Sequence, residues 1–142
     1  LTIALLNNIY SLVIFHPHQY VYFNSIFEKN ANKLFEIDYW GLSNKSALEN
    51  LIKDNFKKDK ITIGVASFTN LYLSQKMLPE NYRNKVLITG QNFANADFIY
   101  NNNYFEINPN YDDKYKIPKN YRKYNELKKG KILINELYIK EW

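Results

Sequence analysis

Apolar positions recur at helical and then at strand spacing, and they divide the chain into elements. Ala47, Leu48, Leu51, Ile52 and Phe56 fall near one face at helical period, which predicts a helix over 45–56. Ser46 and Glu49 stand at capping-box spacing, with Ser43 opening the cap region, and Lys57-Lys58 follows in the sense the helix dipole favours. Residues 61–66 form a short apolar run after a charged turn, the pattern of a buried strand. Residues 70–78 predict a helix with Pro79 just past its end. A second buried strand follows at 86–89, closed by Gly90, and a candidate third at 97–100. Strand, helix, strand is the order of a parallel crossover unit. Residues 101–120 read as a loop rich in Asn, Pro and Asp, with a candidate strand at 104–107. The end of the chain predicts a hairpin: strand 121–127, a Gly-containing turn at 128–131, strand 132–139. Ile132, Ile134 and Leu137 break strict alternation, so the register stays open. The fold expected is mixed α/β, a small partly parallel sheet with about three helices and a C-terminal β-hairpin.

The first stretch behaves differently. Residues 1–15 read LTIALLNNIYSLVIF without a formal charge, and the first charged residue is Glu28. A spanning helix needs about 20 apolar residues, and Asn7, Asn8 and Ser11 dilute this run. Three readings compete: the truncated end of a transmembrane helix, the hydrophobic region of a signal peptide, or a buried soluble helix. The chain begins at Leu1 rather than Met, so upstream sequence is expected. His16-Pro17 ends the helix, because proline disfavours the α conformation before it. The aromatic cluster of Tyr20, Tyr22 and Phe23 suits a membrane–water boundary, which makes His16, His18, Tyr20 and Tyr22 candidate interfacial residues. The bland alternative is a strand packing its rings into a core. On this division, 1–15 is the end of a transmembrane helix and 16–142 is a single α/β domain.

Composition narrows the classes. A chain of 142 residues with 46% hydrophobic content can bury a core and does not read as disordered. It holds no cysteine, which excludes disulfides, thiolate metal sites and cysteine nucleophiles. The net charge of +5 invites a nucleic-acid partner. Yet only Arg83 and Arg122 are arginines, and the chain is crowded with Asn, Lys, Ile, Tyr and Phe, all encoded by AT-rich codons. Genome composition accounts for that charge better than phosphate recognition does.

No motif makes a complete active site. His16 and His18 could begin a metal site, but no third or fourth ligand accompanies them. Glu36 and Asp38 lie two apart and on a strand would share a face, a pair usable in general acid–base chemistry. The competing role for Asp38 is structural, capping the turn before Gly41. Gly64 and Gly90 do not form a phosphate-binding fingerprint. Ser67 and Ser74 lack the elbow of a hydrolase nucleophile. No cofactor is implied.

Two segments carry a more specific pattern. Residues 16–24, HPHQYVYFN, resemble an HPYQYVYFN-like segment, and residues 35–43, FEIDYWGLS, resemble a downstream (Y/F)E-x-DYWG-x-S segment. Together they resemble the C-terminal region of bacterial polytopic membrane glycosyltransferases of the dolichyl-phosphate-mannose–protein mannosyltransferase type. That resemblance implies a parent enzyme in the inner membrane. It would take sugar from a polyprenyl-phosphate carrier and pass it to an acceptor at the extracytoplasmic face. The catalytic acid of such enzymes lies in an early outer loop, so this segment would be non-catalytic. Asp38, Tyr39 and Trp40 become candidate contacts for acceptor or sugar, against core packing as the alternative for the two rings. The positive charge is compatible with an outer location, because long domains translocate largely regardless of charge. The readings competing with this one are a membrane-anchored accessory or binding domain and a soluble nucleic-acid-binding domain.

Overall fold

The computed structural model describes residues 2–104 and 113–141. The chain is mixed α/β, with a five-stranded sheet ordered β2-β1-β3-β5-β4. In chain order the elements are α1 (Thr2–Phe15), α2 (Ser25–Glu28), α3 (Ala31–Leu34), α4 (Asn44–Asp54), β1 (Ile61–Val65), α5 (Leu71–Lys76), α6 (Glu80–Arg83), β2 (Val86–Gly90), β3 (Phe98–Asn101), β4 (Tyr121–Lys129) and β5 (Ile132–Lys140). β1 pairs parallel with both β2 and β3, and β3–β5–β4 continues antiparallel. The mixed sheet, the crossover order and the C-terminal hairpin follow the sequence pattern. Of the six α-helical segments among the described residues, only α1 and α4 exceed six residues. The candidate strand at 104–107 lies largely outside the described residues.

Alternation sorts the sheet into two faces. Ile61, Ile63 and Val65 of β1, with Phe98 and Tyr100 of β3, meet Leu48, Leu51 and Ile52 of α4 and Leu71 of α5 in the main core. Ile99 turns to the other face with Ala66 and Tyr121. No helix links β2 to β3. The connection is one 3-10 turn, Phe93–Asn95, and it crosses over β1 at Gly64. A Cβ at Gly64 would lie 2.7 Å from Phe93 Cδ1, so glycine is what lets the connection lie flat on the strand.

The broken alternation in β5 has a cause. Ile132 and Ile134 pack with Phe15, Val21 and Ala31 in a separate small core, whereas Leu137 belongs to the main one. The two halves of the strand are out of phase because they serve different cores. β4 follows with register shifts at Lys123/Asn125 and Leu127/Lys128.

The segment after α1 is pinned to this hairpin. Asn32 accepts from Leu133 N (3.0 Å) and donates to Leu133 O (2.6 Å), where β5 runs beyond the end of β3. One side chain thus completes an open sheet edge. Glu28 Oε1 accepts from Lys131 N at 3.0 Å, and Lys129 Nζ donates to Ile14 O (3.1 Å) and His16 O (3.0 Å). Asn32→Ala is expected to lower stability by about 1 kcal/mol, since water can replace its two exposed bonds only in part. An unchanged urea midpoint would show that the edge pairing contributes nothing.

Candidate functional site

In open α/β sheets, sites gather at the carboxyl ends of parallel strands, where connections diverge. The chain leaves β1 at Ser67 and β3 at Asn102, side by side, and both residues are buried. From them a closed circuit of buried side chains runs through the fold. Ser67 Oγ donates to Asn102 Oδ1, and Asn102 Nδ2 donates to Asp38 O at 3.1 Å. Asp38 Oδ2 accepts from Ser43 Oγ (2.6 Å) and Ser43 N (3.3 Å). Ser43 Oγ lies 3.2 Å from Tyr100 Oη and accepts from Asn135 Nδ2 at 2.7 Å. Tyr100 Oη donates to Asn44 Oδ1 at 2.6 Å, and Asn44 Nδ2 reaches Thr69 Oγ1 at 3.4 Å. Thr69 Oγ1 closes the ring on Ser67 Oγ at 3.1 Å. Burial, with the Asp38 charge adding to it, pushes the Tyr100 phenol well above its usual range, so it serves as a neutral donor.

Asp38 is 1% exposed, and its Oδ1 has no hydrogen-bond partner. The turn before Gly41 is closed by the Asp38 backbone, whose carbonyl accepts from Gly41 N at 2.9 Å, whereas the Asp38 carboxylate, expected to cap that turn, holds Ser43, the N-cap residue of α4. The capping box expected of Ser46 and Glu49 is absent because α4 starts at Asn44, upstream of both. Ser43 spends its hydroxyl on Asp38 rather than on the helix, and Ser46, inside α4, bonds back to Ser43 O at 2.9 Å. The carboxylate beside Ser43 N supplies the negative charge that a helix start favours. Glu36 does not join it. The segment is a turn rather than a strand, so Glu36 is exposed while Asp38 points inward.

Outside the circuit lies an aromatic surface. Tyr39 and Trp40 meet edge to face at 4.9 Å, Tyr39 meets Tyr104 at 5.1 Å, and Tyr104 meets Phe68 at 5.6 Å. Tyr39 directly follows Asp38 and Phe68 directly follows Ser67, so the buried circuit fixes where the rings sit. Phe68 N also donates to Tyr104 O at 2.9 Å, joining the two loops. Trp40 is 80% exposed, and Tyr39 and Phe68 are about half exposed. Core packing, the alternative for Tyr39 and Trp40, is not where the fold puts them. Asp38 itself is sealed beneath them.

The expected boundary residues separate. Tyr20, Tyr22 and His16 remain exposed, but His18 is 4% exposed. Its Nδ1 lies 3.3 Å from Tyr20 Oη. Burial first, and the nearby Lys129 charge second, hold the His18 imidazole below its usual 6.5. Partial burial first, and the nearby Asp38 second, raise the Tyr20 phenol well out of its ordinary range. As pH falls through 6.5 the unfolded chain takes up a proton at His18 that the folded chain resists. His18 therefore costs stability below that pH and nothing well above it. His18→Phe is expected to flatten the loss of stability between about pH 7 and about pH 5. Urea midpoints at both values test this, and parallel slopes for variant and wild type would refute it.

Among the described residues, no three His, Asp or Glu side chains converge on a metal site. Among the described residues Ser67 has no base against it: its partners are Asn102, Thr69 and the Tyr104 carbonyl. The arrangement positions rings and closes loops. The sequence singles out Asp38, Tyr39 and Trp40 and gives no prominence to Phe68, Tyr104, Asn102 and Asn135, which the fold brings beside them. The ends of the predicted parallel strands were the available signal for Phe68 and Asn102. These features define a mixed α/β domain whose strand ends carry a polar circuit under an aromatic surface. No protein-family model, no curated protein and no solved structure matches the chain.

Proposed function

We propose that this is the C-terminal extracytoplasmic domain of a membrane-embedded, glycosyltransferase-like protein that uses a polyprenyl-phosphate sugar, the domain itself being non-catalytic. The observation that supports it best is α1. This helix has no charged residue, and Leu5, Leu6, Ile9, Tyr10, Leu12, Val13 and Ile14 are all exposed, although its end is built into the domain at Phe15. In water such a surface is unfavourable, and it suits a lipid surround. Among the described residues no helix is long and apolar enough to cross a membrane by itself.

In this reading the aromatic surface of Tyr39, Trp40, Phe68 and Tyr104 faces acceptor or sugar, since exposed rings stack on the apolar faces of pyranoses. The same surface favours a second reading, a membrane-anchored binding domain with no enzyme attached. The reading frame upstream of Leu1 separates them. Many hydrophobic spans with an acidic residue in the first outer loop would support the transferase, and one span or none would exclude it. Trp40→Ala should leave the unfolding free energy within about 0.5 kcal/mol, as for exposed side chains generally, while reducing sugar transfer by the full-length protein. Unchanged transfer would remove Trp40 from the site.

A further inference from the structure

We infer that the segment from Tyr22 to Phe35 is a second membrane contact, which lays the domain against an anionic phospholipid surface beside α1. The inference rests on the membrane reading of α1 and goes beyond it. Two four-residue helices, α2 and α3, have one face pinned to the hairpin through Glu28, Ala31 and Asn32. On the other side Ile26 is 77% exposed, and Phe27, Leu34 and Phe35 are exposed with it.

These side chains are continuous with the end of α1. Phe15 meets Tyr22 edge to face at 5.4 Å, and Phe23 packs on the small core that contains Phe15. Phe23 stacks on Phe35 at 4.9 Å, and Phe35 meets Phe27 at 6.3 Å. A groove lined by Asn8, Ser11, Leu12, Phe15, Gln19 and Tyr22 adjoins them. Scattered exposed apolar residues are ordinary, but a contiguous patch held by hydrogen bonds and running into a lipid-suited helix marks an interface.

Charge selects the occupant. Lys29 and Lys33 are exposed among the apolar side chains, and Lys129 and Lys131 border them at the hairpin turn. Within 22–36 the acidic residues are Glu28 and Glu36, and Glu28 Oε1 accepts from Lys131 N. Lysines interleaved with apolar side chains fit anionic headgroups over a hydrocarbon boundary.

The chain has no cysteine, so single cysteines can be placed and labelled with a fluorophore in the full chain. Ile26→Cys and Leu34→Cys report the patch, Ile9→Cys reports α1, and Leu87→Cys, on the opposite edge strand β2, reports water. Vesicles of phosphatidylethanolamine and phosphatidylglycerol with brominated acyl chains quench labels that touch lipid. The expected result is loss of emission at 9, 26 and 34 and none at 87. Lys29→Glu with Lys33→Glu should restore emission at 26 and 34 but not at 9. Quenching at 9 with 26 and 34 behaving like 87 overturns the inference and leaves the membrane reading standing. So does shielding of 26 and 34 from both bromolipid and aqueous iodide, which would mean that protein covers the patch. An unquenched label at 9 overturns the membrane reading itself. Quenching at 26 and 34 unaffected by the charge reversal overturns the anionic-lipid assignment.

Discussion

Asp38→Ala is expected to lower the stability of the folded chain by about 3 kcal/mol, and Asp38→Asn by about 1 kcal/mol. Alanine leaves Ser43 N and Ser43 Oγ without their acceptor in a site where Asp38, Ser43, Tyr100 and Asn135 are all buried. Hydrogen bonds to an ionised group are among the stronger ones, and orphaned buried donors cost more than the bond itself contributes. One term works the other way. Asp38 Oδ1 is buried without a partner, so alanine also relieves a desolvated oxygen. Asparagine separates the two, because its carbonyl can take the place of Oδ2 while the charge is removed. Denaturant midpoints of the full chain in mild detergent give both values. Equal losses for the two variants would mean that charge, not the acceptor position, is what Ser43 requires. No loss for alanine would mean that the circuit does not stabilise the fold.

Gly41→Ala is expected to cost about 3 kcal/mol through two separate effects. Gly41 sits at φ +63°, where a residue with a Cβ is strained by roughly 1–2 kcal/mol. Its new Cβ would also lie 2.6 Å from Asn44 Nδ2, 3.0 Å from Asn44 Cγ and 3.1 Å from Thr69 Cβ. Asn44 cannot yield freely, because it links Tyr100 to Thr69 inside the circuit. Displacing it strips the buried Tyr100 hydroxyl of its acceptor. A double-mutant cycle with Asn44→Ala isolates the steric part. The pair should be less destabilised than the sum of the singles by about 1 kcal/mol, as for side chains that touch. Strict additivity would place the clash elsewhere.

Gly41 shows how far a sequence can be read. The turn at 38–41 was legible from Asp38 and Gly41, as was a cap region at Ser43. Their mutual bond was not, because nothing local distinguishes a serine that caps a helix from one that satisfies a buried carboxylate. Glu36 and Asp38 would pair only on a strand, and the segment is a turn. Tyr39 and Trp40 carry the same bulk as any core aromatic, and only the turn geometry turns them outward. Phe68 and Tyr104 follow strand ends whose adjacency depends on the order β1–β3, which no spacing encodes.

Local pattern was enough for the elements themselves. Helix α4, strands β1 and β2, the parallel crossover and the terminal hairpin all follow from apolar period and from breakers at Pro79, Gly90 and Gly130, because those signals act within a few residues. The uncharged stretch at 1–15 announced an apolar helix in the same way. Tertiary structure decided the rest. It set which strand lies next to which and why Gly64 must yield to Phe93. It split β5 between two cores, and it sealed Asp38 while leaving Trp40 in the open. Each of these depends on contacts between residues distant in sequence. Burial and hydrogen-bond satisfaction are properties of the packed whole, and a periodicity of two or of 3.6 residues carries information only about the near neighbours on one element.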